Sequence, residues 1–232
     1  MSAFYERMMD VLFPPVCPWC GKLLGNTGRH AMCESCLPRV ENPICTLCGR
    51  GIDRCDCGGR RGDVRRVVSP FYYEGSVKDA LVRLKYAGAA YMAAALGEEM
   101  AQTVTLRLHS VPLSLVVPIP MERAKQRRRG YNQAELLAQE TAKRLQLPYG
   151  KGVLRLNGKK EEQHTLDRFA RAANVFGIYD VPRPERIKGQ TILLVDDIST
   201  TGATLRECAK ILMLSGAAAV YGCTAALVVA KK

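Results

Sequence analysis

Residues 193–205 read LLVDDISTTGATL: an apolar run ends in two adjacent acids, a Thr/Gly-rich turn follows, and a helical pattern begins. A helix N-terminus presents free backbone N–H groups and the positive end of the helix dipole, and so favours a phosphate. In the loop Ser199–Thr204, Gly202 permits close backbone approach to such a group, Thr200, Thr201 and Thr204 offer hydroxyl donors, and Ala203 opens the helix. Carboxylates repel phosphate, so Asp196 and Asp197 must serve another part of the ligand. A vicinal diol donates hydrogen bonds to carboxylates, and a ribose 5-phosphate carries both features. The stretch lacks GxxxxGK[ST] and is therefore not a Walker A loop.

Working outward, TILLVDD (191–197) predicts a buried strand, and ATLRECAKILMLSG predicts a helix with Leu205, Ala209 and Leu212 inward and Gly216 as its stop. Cys208 shares that apolar face. AAVYGCTAALVV closes the chain as a strand. Upstream, VRRVVSPFYYEG (64–75) reads as a strand and the following segment as helix, with Ser76 as N-cap and Gly88 dividing it in two. LSLVVPIP (113–120) predicts a short buried strand, and NQAELLAQETAKRL (132–145) an amphipathic helix. Strands alternating with helices predict an α/β domain with a mostly parallel sheet covered on both faces. Ligands in such sheets bind beyond the carboxyl ends of strands, where Pro120 and Asp196 lie.

The front of the chain is different. Of ten cysteines, eight lie in four close pairs: Cys17/Cys20, Cys33/Cys36, Cys45/Cys48 and Cys55/Cys57. A CxxC turn aims two thiolates at one point, and two such turns complete a tetrahedral zinc site. Four pairs imply two structural Zn²⁺ ions. Pairing in order gives Cys17, Cys20, Cys33 and Cys36 for one and Cys45, Cys48, Cys55 and Cys57 for the other; an interleaved pairing stays open. The last pair, CDC, is tighter than the usual CxxC. His30 reads as a solvated loop residue. The expected organisation is a double zinc ribbon with a short N-terminal helix over 1–63, then the α/β domain over 64–232.

Net charge is +12 over 232 residues, which points to polyanionic partners such as nucleic acid or phosphorylated metabolites. No apolar run approaches the ~20 residues of a membrane span. The N-terminus carries Glu6, Arg7 and Asp10, which suits a signal peptide poorly, so the cytoplasm is the expected compartment.

The stretch from 193 resembles the PRPP-binding motif of type I phosphoribosyltransferases. VVPIP followed by RRRGYNQAELLA (117–138), LKY (84–86), the run QHTLDRFARAANVFGIY and the paired cysteines together resemble the ComF family of competence-associated proteins. The resemblance covers nearly the whole chain. It implies a type I phosphoribosyltransferase fold preceded by the double zinc ribbon, with PRPP (5-phosphoribosyl 1-pyrophosphate) bound together with Mg²⁺. Ser199–Thr204 would then take the 5-phosphate, and Asp196 and Asp197 the diol. Arg123, Lys125, Arg128 and Arg129, with Lys85 in a lesser role, would take the pyrophosphate, because arginine suits bidentate phosphate contacts. Gln163 and Arg171 would lie on the mobile loop that covers the site. The implied chemistry is displacement at ribose C1 with pyrophosphate leaving, toward a base or amine acceptor that the sequence does not identify.

A second function stays open beside the enzyme. A DNA-uptake protein would use the ribbons and basic clusters to hold single-stranded DNA, with PRPP or a nucleotide as regulatory ligand and a DNA-uptake helicase as partner. Aromatic residues make up 6% of the chain, few for base-stacking platforms, and Trp19 is the best single one.

Overall fold

A computed structural model describes residues 16–17, 21–23, 33, 39–40, 42–55, 57–59, 62–86, 92–156 and 178–229. The expected N-terminal helix, Trp19, Cys20, His30, Cys36, Gly88, Gln163 and Arg171 lie outside them. The α/β part begins with β1 (Val64–Val68) and β2 (Phe71–Tyr72), followed by helices α1 (Gly75–Tyr86) and α2 (Met92–Arg107). Next come β3 (Leu115–Pro118), α3 (Arg123–Arg129) and α4 (Gln133–Leu145). The chain continues through β4 (Arg155–Leu156), β5 (Tyr179–Asp180), β6 (Thr191–Ser199), α5 (Ala203–Leu214) and β7 (Ala219–Leu227).

The main sheet has the order β1-β7-β6-β3, all parallel, with β2 also pairing β7. The strand expected over 64–75 is interrupted at Ser69-Pro70, since proline has no N–H for the ladder; both halves nevertheless run along β7. Helix α1 starts at Gly75, one residue before the expected cap. The α4 start is capped as its sequence implies, by Asn132, whose side chain accepts from the Ala134 N–H at 3.0 Å. Short α3 and the antiparallel β4–β5 pair carry no apolar periodicity and were not legible beforehand.

Alternation along β6 builds two cores. Leu193 and Val195 face one side with Val77, Leu81 and Leu84 of α1, Leu96 and Met100 of α2 and Leu137 of α4. Ile192 and Leu194 face the other with Leu205, Cys208, Ala209 and Leu212 of α5. Because β6 is covered on both faces, residues 192–195 are all buried, which is why that strand reads as an unbroken apolar run.

The cysteine knuckle at 45–57 closes an edge of this sheet. Strand β1 is terminal in the strand order, and the Val67 N–H donates to the Leu47 carbonyl at 2.9 Å. Gly49 has φ +76°, and a Cβ there would lie 2.4 Å from the Val67 carbonyl oxygen, so only glycine allows this approach. The Gly51 N–H donates to the Tyr72 hydroxyl at 2.8 Å, and the Arg54 guanidinium lies 4.6 Å from the centre of that ring. An otherwise exposed strand edge is thereby covered. Among the described residues, no helix is long and apolar enough to cross a membrane.

Candidate functional site

The carboxyl end of β6 brings the acid pair and the Thr/Gly loop into one place. Side chains alternate along a strand, so Asp197 lies toward α1 and Asp196 toward α5. The Lys85 ammonium at the end of α1 sits 3.0 Å from Asp197 Oδ2, both side chains being mostly buried. Asp196 lies within electrostatic reach of Tyr179 and Cys208. Each carboxylate also takes the next backbone N–H: Asp197 N donates to Asp196 Oδ1 at 2.8 Å, and Ile198 N to Asp197 Oδ1 at 2.7 Å. Burial first, and the Asp197 charge second, raise the Asp196 carboxyl well above the ordinary range, against a smaller opposing pull from Lys85.

Beyond Ser199 the loop turns through Gly202, which has φ +72° and stands at the N-terminus of α5. Thr200, Thr201, Ala203 and Thr204 are exposed there, while Ser199 is buried. Thr201 Oγ1 accepts from the Ala203 N–H at 3.3 Å, and Arg206 from the first turn of α5 donates back to the Thr201 carbonyl at 2.9 Å. The loop therefore presents hydroxyls and the start of a helix to solvent, beside two carboxylates that point elsewhere. The carboxylates and the loop hydroxyls thus hold separate positions at the end of β6.

Two expected motifs meet behind Lys85. The Tyr131 hydroxyl donates to the Leu84 carbonyl at 2.5 Å, and the buried Gln133 side-chain amide reaches the same oxygen at 3.5 Å. Asn132 donates to the Ile119 carbonyl at 2.9 Å. The YNQ triplet thus ties the end of α1 to the segment after β3, and Lys85 is the residue directly beyond the tie. A Tyr131→Phe variant should lose about 1 kcal/mol of stability, the usual value of one such hydrogen bond. Urea unfolding would measure it, and an unchanged midpoint would show the contact to be dispensable.

The basic residues after Pro120 do not all converge. Arg129 donates to Gln133 Oε1 at 3.1 Å and so belongs to the corner of Leu84 and Lys85. Lys125 pairs with Glu122 at 3.1 Å, and Arg128 is exposed. At about 100° per residue, Lys125, Arg128 and Arg129 share one arc of α3, whereas Arg123 lies apart. Arg123 instead lines a cavity of about 1000 Å³ with Pro118, Pro120, Glu135, Lys151 and Arg155. This cavity opens at the end of β3, where the Ile119 N–H donates to the Val195 carbonyl at 2.9 Å, one residue before Asp196.

In the knuckle, the Sγ atoms of Cys45, Cys48, Cys55 and Cys57 all lie within 4.8 Å of one another, with close approaches of 3.5 to 3.7 Å. Four thiolates at ~2.3 Å from one zinc would stand about 3.8 Å apart. The geometry fits a structural zinc ion, and the single-residue spacing of the CDC pair is no obstacle to it. Of the other four paired cysteines, Cys17 is buried and Cys33 half-buried, while Cys20 and Cys36 fall outside the described residues.

Arg50 was not anticipated from the sequence. It is 4% exposed, and its guanidinium donates to the carbonyls of Val228, at 2.9 and 3.0 Å, and of Thr200. An arginine two residues after a cysteine carries no sequence signal for a contact 150 residues away.

Comparison with known proteins accords with these features. A double zinc ribbon domain family model matches residues 8–63, and a phosphoribosyl transferase domain family model matches residues 128–231. The chain is 30% identical to competence protein ComFC of Bacillus subtilis over 81% of its length and 78% of that protein. It is 26% identical to the DNA utilization protein YhgH of Escherichia coli K12, covering 89% of this chain and 94% of that one. Competence protein F of Haemophilus influenzae is 25% identical, over 81% of this chain and 86% of its own.

Proposed function

The chain belongs to the ComF family of competence-related, phosphoribosyltransferase-like proteins, and on that premise we propose that it binds PRPP at the carboxyl end of β6. One observation carries the reading: the β6 end sets two carboxylates, one paired with Lys85, beside an exposed Thr/Gly loop at the start of a long helix. A phosphate seated over 199–204 would place a ribose against Asp196 and Asp197. Arg129 and Lys85, held at one corner by Gln133 and Leu84, would meet the pyrophosphate, and Arg123 would approach from the cavity wall. Mg²⁺ would accompany the pyrophosphate and offset its charge. In this arrangement Lys85 exchanges a carboxylate partner for ligand phosphate, leaving Asp197 free to accept from the diol.

Transfer would proceed by departure of pyrophosphate from ribose C1, with positive charge developing on the ring. Carboxylates fixed beside the sugar stabilise that charge, and the chain supplies position and field rather than a covalent nucleophile. The cavity beyond β3 is the place for a base or amine acceptor. Calorimetric titration of zinc-loaded protein with PRPP and Mg²⁺ should give binding in about the micromolar range, common for enzyme substrates. A screen of bases and amines for pyrophosphate release would follow. Absence of heat with folded protein would overturn the reading.

A second reading has its own support: the net charge of +12 and the competence and DNA-utilization relatives favour a contact with single-stranded DNA. Such binding should weaken steeply with salt, since backbone contacts release counterions. The two readings are compatible, with PRPP as the regulatory ligand of a DNA-binding protein in the second.

A further inference from the structure

The Cys45–Cys57 knuckle and the phosphate loop are joined by one side chain. We infer that Arg50 is a positioning residue through which the zinc knuckle holds the 199–204 loop in shape, so that occupancy of the knuckle by zinc governs how well the loop seats a phosphate.

Arg50 is fixed at its base by the knuckle. Its carbonyl accepts from the Cys45 N–H at 2.7 Å, and the Gly49 N–H donates to the Cys45 carbonyl at 3.0 Å. The thiolates of Cys45 and Cys48 must stay together for that turn to persist, and zinc is what holds them. At its other end the guanidinium bonds the Thr200 carbonyl inside the loop and the Val228 carbonyl beyond β7. The Val228 N–H in turn donates to the Ser199 carbonyl at 2.9 Å. Arg50 therefore clamps the start of the loop to the segment after β7, and the neighbouring space of about 210 Å³ is walled by Cys48, Cys57, Gly202 and Arg206 as well as Arg50. A buried guanidinium bound to carbonyls is costly to leave unmatched, so the loop and knuckle are held in one relative placement. At 4% exposure, Arg50 acts on the loop from its buried side.

The effect on affinity rests on the PRPP reading; the effect on loop order does not. Amide hydrogen exchange is measured on the zinc-loaded full chain, comparing wild type, Arg50→Gln, Arg50→Lys and wild type treated with a chelator. PRPP titration with Mg²⁺ runs in parallel, and metal analysis verifies zinc retention in the variants. Amides of 200–206 should exchange at least tenfold faster in Arg50→Gln and after chelation, with Arg50→Lys intermediate; β3 and α4 should stay unchanged in zinc-retaining Arg50→Gln. PRPP affinity should fall by about tenfold or more, a change of ~1.4 kcal/mol. Loop amides that keep wild-type exchange in zinc-retaining Arg50→Gln or Arg50→Lys overturn the proposal, as does chelation that loosens only the knuckle. Should Arg50→Gln not fold, Arg50→Lys and the chelated wild type decide by the same readout. Wild type that fails to bind PRPP sinks the function reading alone, because loop exchange still judges Arg50.

Discussion

Replacing Asp196 and Asp197 together by asparagine should reduce PRPP affinity by about a hundredfold or more. Hydrogen bonds to a charged acceptor contribute roughly 1.5–3 kcal/mol each, and the double change removes the charge from both acceptors proposed for the diol. Lost binding usually raises the suspicion of lost folding, and here the electrostatics separate the two. The Asp196 carboxyl is raised by burial and then by Asp197. An acid whose folded value lies above its unfolded one, about 3.9, binds more protons in the folded state. Its contribution to stability is present at low pH and is lost as pH rises from the unfolded value through the folded value. A neutral amide escapes that loss. The single variant Asp196→Asn should therefore be at least as stable as wild type at pH 7, with its advantage shrinking as pH falls toward 4. Asp197→Asn carries no such gain, because it strips Lys85 of its partner. Thermal unfolding across pH, beside PRPP titration, checks both statements; a destabilised Asp196→Asn at pH 7 would contradict the first.

Removing zinc should have the largest effect on stability. The single helical turn at Ile52–Arg54 buries no residue, so the knuckle has little apolar core of its own. Structural zinc contributes ~10 kcal/mol or more in isolated fingers. Even a third of that would lower Tm by about 6–12 °C in a chain of this size. Loss of the knuckle would also uncover β1, an edge strand whose Val67 N–H now bonds Leu47, and aggregation should follow. Calorimetric scans with and without chelator, and of Cys57→Ser, measure the first effect; light scattering measures the second. An unchanged Tm in metal-free protein would show that packing against the sheet suffices.

What the sequence disclosed was local. Strand β6 is legible because two buried faces demand ILLV without interruption, and α4 because Asn132 and the following amphipathic run act within a few residues. The acid pair and loop are legible for the same reason: one strand–turn–helix holds all of them. Pairings between distant segments were not. Lys85 with Asp197, Tyr131 with Leu84 and Arg50 with Thr200 each depend on how separate elements dock. The spread of basic residues on α3 was hidden too, since a charge run gives no apolar period to fix its rotation.

The tie at Leu84 has a consequence for how this protein can change. Its acceptor is a main-chain carbonyl, shared by the hydroxyl of Tyr131 and the amide of Gln133. Residue 84 cannot gain or lose that oxygen by substitution, so no second mutation there can rescue a damaged partner. Variation in this corner is one-sided: drift at Tyr131 or Gln133 has to be compensated by the other of the two, and the lysine beside the tie inherits whatever placement remains.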